Sequence, residues 1–235
     1  MGDKPVTIRT LDAGGDKLIN SVDLPAIEEK NPLMGLRAVR LSLEYPNILK
    51  TQLRALYRAS VYGNLEIMFP LITSVDQVKE CLELVNVVKQ ELTSEKIPFQ
   101  EDTPVGIMIE TAAAALISDC LSKVSDFFSL GTNDLTQYTL GIDRENQHVS
   151  GLYNEFSLAV LRLIEMTVRS AKANNVPLAV CGEMAGRQDS VMVLAGMGIR
   201  NLSMSPKLIS STKELLSRFT IQELEAISAK HLNNL

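Results

Sequence analysis

Cysteine is scarce in this sequence: Cys81, Cys120 and Cys181 are the three present, an odd number with no CxxC pair. That pattern argues against a disulfide framework and a cysteine-based zinc site, and reduced thiols fit the cytoplasm. Histidine is scarcer still. His148 lies in a polar loop and His231 close to the end of the chain, neither with a motif around it, and both read as solvated surface residues. Cys81 and Cys120 fall in segments of helical period and read as small core hydrophobes.

Positive charge is also in short supply, with 23 Lys and Arg against 28 Asp and Glu, a formal charge of −5 and a pI near 5.2. Nucleic acid and anionic membranes both need a net positive surface, so neither is expected as a partner. An anion bound here must be held by a few placed arginines or by a metal. No apolar run approaches the roughly 18 residues needed to cross a bilayer, and the opening MGDKPVTIRT lacks the hydrophobic stretch of a signal peptide. Internal repeats, low-complexity tracts and long linkers are absent. Gly14-Gly15 followed by Lys17 fails the GxxxxGK[ST] spacing of a Walker A loop, and no GxGxxG occurs. Two glycines nevertheless let the backbone turn sharply and approach a ligand.

What is present is enough for one substantial core: 235 residues, 46% hydrophobic and 22% charged, read as a single domain. Short runs rich in β-branched and aromatic residues alternate with longer helical segments, the pattern of parallel strands joined by helical crossovers, so the fold class is α/β. The strand candidates are Val6 to Thr10, Leu65 to Leu71, Val105 to Glu110, Asp126 to Leu130, Leu178 to Cys181 and Asn201 to Ser205. Several are apolar nearly throughout, as expected of strands covered on both faces. Ser74 to Gln77 has capping-box spacing, followed by Val78, Leu82, Val85 and Leu92 on one helical face. Leu161, Ile164, Val168 and Ala171 mark a second helix ending at Asn174-Asn175 before Pro177, while Pro46 should divide the helical stretch from Leu33 to Ser60. A closed barrel of this class needs eight strands, so these candidates read as an incomplete (β/α)8 barrel. The unpaired edges of such a sheet invite pairing with another chain, and self-association is expected. The chain reads as the later part of a longer polypeptide.

In parallel α/β folds chemistry collects at the carboxyl ends of strands. Glu110 and Asp134 close two consecutive strand candidates and could share one hard cation; Mg²⁺ takes one or two carboxylates and completes its shell with water and substrate oxygens. The alternative is that each caps the helix after its strand. Arg9 ends an apolar strand, where a charge is costly unless paired or facing an open site. Arg37 and Arg144 lie in segments dense with turn residues. Guanidinium groups grip phosphate or carboxylate through two parallel hydrogen bonds, although each arginine could equally form a surface salt bridge. Cys181 ends a strand beside Gly182, which gives its thiol room to meet a substrate as nucleophile or proton donor, against the alternative of a core hydrophobe.

Read together, Ile8 to Lys17 (IRTLDAGGDK), Asn31 to Arg37 (NPLMGLR), Ile107 to Thr111 (IMIET), Phe128 to Tyr138 (FSLGTNDLTQY), Cys181 to Gly186 (CGEMAG) and Leu202 to Ser205 (LSMS) closely resemble the phosphoenolpyruvate-utilising enzymes. The resemblance covers nearly the whole chain. Within that family it looks most like the enzyme I group of bacterial sugar phosphotransferase systems, with pyruvate phosphate dikinase and phosphoenolpyruvate synthase as the other similar groups.

The resemblance implies that Glu110 and Asp134 hold Mg²⁺, Arg9 binds the phosphate, and Asn133 and Arg144 fix the rest of phosphoenolpyruvate. Arg37 matches a motif near the family's site. Cys181 would protonate the enolate; an ordinary thiol titrates at about 8.5 and carries its proton at neutral pH. A homodimer, and partnership with a phosphohistidine domain and a phosphocarrier protein through a full-length enzyme, are implied in the same way. The chain departs from the family pattern by lacking two further strands at the start of the barrel, a second phosphate-binding arginine, and the phosphohistidine and carrier-docking domains. A truncated, non-catalytic binding or assembly module is therefore the alternative.

Overall fold

The structure, a computed structural model, describes residues 1–14 and 29–233, so Gly15, Asp16 and Lys17 of the glycine-lysine segment lie outside the described residues. Among the described residues there are six strands: β1 (Val6–Arg9), β2 (Leu65–Phe69), β3 (Val105–Ile109), β4 (Phe128–Gly131), β5 (Leu178–Cys181) and β6 (Asn201–Leu202). Their order in the sheet is their order in the chain, each strand lying beside the next in sequence. The fold is α/β, of the (β/α)-barrel type with fewer strands than closure needs, as the sequence predicts.

The chain divides into two units, Met1–Ile107 and Met108–Leu235. In the first, β1 pairs with β2 in parallel from Val6↔Leu65 to Arg9↔Met68, and β2 pairs with β3 from Ile67↔Val105 to Phe69↔Ile107. Burial follows position: β2 is covered almost throughout, whereas β1, at one end of the sheet order, is largely exposed. Pro46 divides the helical stretch as expected, into α1 (Ala38–Glu44) and α2 (Pro46–Ala59), because proline has no N–H to offer the preceding turn and fits the first position of a new one. Helix α3 (Val75–Ser94) starts at the expected cap: Ser74 accepts from the Gln77 N–H at 3.2 Å, and Gln77 Oε1 accepts from the Thr73 N–H at 2.8 Å. Its buried stripe, Val78, Cys81, Val85, Val88 and Leu92, has the period of one helical face.

In the second unit the order is α4 (Ala112–Leu116), α5 (Ser118–Leu121), β4, α6 (Thr132–Leu140), α7 (Leu158–Ala173), β5, α8 (Gln188–Gly196), β6, α9 (Pro206–Leu216) and α10 (Ile221–Asn233). Strands β4 and β5 pair in parallel from Phe128↔Leu178 to Gly131↔Cys181, and β5 pairs with β6 through Ala179↔Asn201 and Val180↔Leu202. Leu161, Ile164, Val168 and Ala171 are all buried on α7, as the period predicts. Strand β6 is shorter than expected because Ser205 already serves as the N-cap position of α9, and only the Ser203 N–H still reaches across, to the Val180 carbonyl at 2.8 Å.

Two expectations need correction. Cys81 is buried in α3, but Cys120, on the four-residue α5, is exposed: this single turn buries Ser118 and Leu121, and Cys120 lies on its outer side. His148 is exposed as expected, whereas the ring of His231 packs on Phe156 with centroids 5.2 Å apart and is partly covered.

Candidate functional site

In the first unit, Arg9 and Arg37 meet on one carboxylate. Arg9 Nη1 lies 3.1 Å from Asp12 Oδ2 and Arg37 Nη2 donates to Asp12 Oδ1 at 3.1 Å. The Asp12 side chain is 9% exposed and that of Arg37 15%, while Arg9 keeps 44% of its side chain open. The charge at the end of β1 is thus paired, and Arg9 is the cation of the two more accessible to a ligand. Local backbone holds the arrangement: Gly14 bridges to Arg37, and the Ala38 N–H donates to the Ala13 carbonyl at 3.1 Å. Ala38 itself has φ +51, a left-handed conformation costing a non-glycine residue about 1–2 kcal/mol. Asp12 stood inside a quoted motif, yet sequence reasoning gave it no role; the signal was its position three residues after Arg9, in the loop that leaves β1.

The second unit gathers the larger set, at the carboxyl ends of β3, β4 and β5. Glu110 follows β3 directly and is 2% exposed. It does not cap the next helix. Thr111 does, its Oγ1 accepting from the Ala114 N–H at 3.1 Å. A Cβ built on Gly131 would stand 2.8 Å from Glu110 Oε2 and Cβ, so glycine at that position makes room for the carboxylate at the end of β4. The next residues open α6, whose first turn carries Asn133 and Asp134; no side chain caps this helix, so its N-terminal dipole favours an anion at the start.

Arg144 is brought to the same place from the loop after α6. Gly141 closes the helix at φ +64, the Arg144 N–H donates to Gln137 Oε1 at 3.1 Å, and the guanidinium lies 3.4 Å from Asp134 Oδ1. Gln137 is 5% exposed, a buried amide that fixes the loop.

On β5, register sets Cys181 level with Gly131. The Ser129 hydroxyl donates to Cys181 Sγ at 3.4 Å, Sγ donates to the Leu130 carbonyl at 3.4 Å, and Thr132 Oγ1 donates to the Cys181 carbonyl at 3.2 Å. The thiol is only partly covered. It is therefore held on the β4 end rather than sunk in the core.

Tyr153 and Glu155 complete the surroundings, and neither was singled out from sequence because each is a lone polar residue in a loop. Tyr153 Oη donates to the Asn133 carbonyl at 3.2 Å, and burial pushes its phenol up from the ordinary value, with Glu155 and Glu183 adding to the rise and Thr136 and Arg144 opposing it. Glu155 is 3% exposed, and burial likewise pushes its carboxyl up, although Arg187 Nη1, donating to Oε2 at 3.0 Å, pulls it back.

Sequence-predicted residues Glu110, Asn133, Asp134, Arg144 and Cys181 all lie at strand ends or in the following loops of the second unit, and Arg9 and Arg37 are joined within the first. Among the described residues no three His, Cys, Asp or Glu side chains gather into a metal cage. Glu110 and Asp134 are two carboxylates, one of them buried, and oxygen donors of that kind are what Mg²⁺ takes when water and ligand oxygens complete its shell.

A parallel sheet with polar residues collected at its carboxyl edge defines an α/β ligand-binding domain. The family described as "PEP-utilising enzyme, PEP-binding domain" matches residues 1–221, and the chain belongs to that family. It is 44% identical over 225 residues to the phosphoenolpyruvate-protein phosphotransferase of Priestia megaterium, and 43% identical over 233 residues to that of Bacillus subtilis (strain 168). These alignments cover 96% and 99% of this chain but 39% and 40% of the relatives, so the chain spans about two-fifths of their length. A solved citrate lyase from Burkholderia xenovorans LB400 shares the fold at TM-score 0.54 and 16% identity, over 77% of this chain and 58% of that one. Among the described residues no helix is long and apolar enough to cross a membrane.

Proposed function

We propose that this chain is the phosphoenolpyruvate- and Mg²⁺-binding part of a cytoplasmic phosphoenolpyruvate-protein phosphotransferase serving sugar transport. Alignment of nearly its whole length with such phosphotransferases carries the reading. On this reading the barrel domain occupies 1–235 and works as a homodimer. The phosphoryl group leaves the enol oxygen for a histidine nitrogen on another domain, from which a phosphocarrier protein takes it. The enolate left behind accepts a proton at carbon to become pyruvate.

The chain's own residues have distinct tasks. Arg9 grips the phosphate, with Arg37 bound to the same Asp12 carboxylate as Arg9. Asn133 and Arg144 fix the remainder of the substrate. Cys181 holds the proton that passes from Sγ to the enolate carbon, and the Ser129 contact to Sγ supports a set direction for that thiol. Glu110 and Asp134 would hold Mg²⁺, which when bound neutralises charge on the phosphoryl and enolate oxygens. Arg144 beside Asp134 adds a fixed positive charge that needs no reorganisation during the reaction.

The test is calorimetric titration of phosphoenolpyruvate into the chain with Mg²⁺, without Mg²⁺, and with Asp134→Ala. Saturable binding that requires both the metal and Asp134 is expected. Its absence from a folded sample would favour a non-catalytic assembly module.

A further inference from the structure

Asn133 is held at two atoms by groups outside its own helix. Its Oδ1 accepts from the Glu183 N–H at 2.9 Å, and its carbonyl accepts from Tyr153 Oη at 3.2 Å. A backbone N–H can only donate, so the orientation of the amide is not arbitrary: Oδ1 must face Glu183 and Nδ2 must face away. The close approach depends on Gly182, which has φ +101 and whose added Cβ would stand 2.5 Å from Thr132 Oγ1 and 2.8 Å from Asn133 Oδ1. Tyr153 belongs to the loop between α6 and α7, the same loop that delivers Arg144. Its phenol, raised by burial, keeps its proton through the neutral range and remains a donor.

We propose that Tyr153 is a positioning residue for Asn133: together with the Gly182-Glu183 turn it fixes the Asn133 amide so that only the Nδ2 donor is offered to ligand, making this position selective for an anionic oxygen. The inference rests on the phosphoenolpyruvate reading for the identity of the anion, but the latch itself exists in the free chain. Three residues from three separate segments, Asn133, Tyr153 and Glu183, thereby form one unit. An unlatched asparagine could turn its carbonyl oxygen toward the ligand and would meet an anion with the wrong dipole.

Asn133→Asp separates holding from offering, because the two side chains are nearly the same size. An aspartate oxygen still accepts from the Glu183 N–H, while its other oxygen replaces Nδ2 and opposes an anion. Tyr153→Phe removes only the phenol donor. Two readouts apply to each variant of the full chain: amide hydrogen exchange at Glu183 without ligand, and the Kd for phosphoenolpyruvate with Mg²⁺. In the unmodified chain the Glu183 amide should exchange about fivefold more slowly than an open loop amide, roughly the protection one net hydrogen bond gives. Asn133→Asp should keep that protection and lose phosphoenolpyruvate binding. Tyr153→Phe should speed Glu183 exchange several-fold and weaken binding several-fold, while lowering the thermal midpoint by no more than the few degrees that loss of one hydrogen bond gives. A Glu183 amide that exchanges freely in the unmodified chain, or equally fast with and without the Tyr153 hydroxyl, overturns the proposal. Failure of the unmodified chain to bind phosphoenolpyruvate, with Glu183 protection following Tyr153, removes the substrate reading and leaves the latch standing.

Discussion

Replacing Arg187 by alanine strands a carboxylate in the interior of the second unit. Glu155 has 2% of its side chain exposed, its Oε2 is bound by Arg187 Nη1 at 3.0 Å, and Oε1 has no hydrogen-bond partner among the described residues. Removing one member of a fully buried pair costs about 3–5 kcal/mol, but the Arg187 side chain is 51% exposed and solvent screens its share. The expected loss is therefore about 2 kcal/mol at pH 7.5. Its pH dependence carries the stronger test. Burial raises the Glu155 carboxyl above 4.5, with Glu183 and Asp189 adding to the rise and Arg187 opposing it. A carboxyl that titrates higher when folded binds more protons in the folded chain, so its effect on stability turns unfavourable as pH rises from about 4.5 to its folded value. Arg187→Ala raises that value further and widens the interval. Urea denaturation followed by circular dichroism should show a small deficit at pH 5 and the full one at pH 7.5. Adding Glu155→Gln should recover most of the loss at pH 7.5 by removing the stranded charge. A deficit independent of pH, or no recovery in the double variant, would refute the argument that a buried, unpaired carboxylate is the cause.

Other outcomes follow from single contacts. Ser74→Ala removes the cap of α3 and should cost about 1 kcal/mol of stability in the same denaturation assay. Burial pushes the Cys81 thiol up to about 12, so iodoacetamide at pH 8 should leave it unmodified in the folded chain while the exposed Cys120 reacts, which peptide mapping reads directly. Gly182→Ala must place a Cβ 2.5 Å from Thr132 Oγ1 at a positive φ, and a loss of about 2–4 kcal/mol is expected from conformational strain and displaced hydrogen bonds; an unchanged melting point would show that the turn yields easily.

Strand positions were legible because buried parallel strands leave short apolar runs, and β2, β3 and β5 began at the expected residues. Ends were less legible. β4 begins at Phe128 rather than Asp126, and β6 stops at Leu202, because pairing partners rather than residue preference decide where a ladder ends. The placement of Glu110, Asp134 and Cys181 at or just after strand ends could be read, since a charge or thiol after an apolar run stands out. The partners that fix Arg37, Arg144, Asn133 and Arg187 could not. Asp12, Gln137, Tyr153 and Glu155 act across loops through contacts 7 to 32 residues apart in sequence, and no local pattern marks such partners.

The loops of the second unit show why these two kinds of residue come together. A loop leaving a buried sheet must satisfy its backbone groups without a ladder. Here the Cys181 carbonyl is met by Thr132, the Glu183 N–H by Asn133, the Asn133 carbonyl by Tyr153 and the Arg144 N–H by Gln137. Each bond that satisfies the backbone also fixes a side chain assigned to ligand, so local stability and preorganisation draw on the same contacts. A substitution at Gln137 or Tyr153 should accordingly perturb ligand affinity more than its exposure suggests, while a substitution at Arg169, exposed on α7 and paired with Glu165 of the same helix, should leave affinity unchanged.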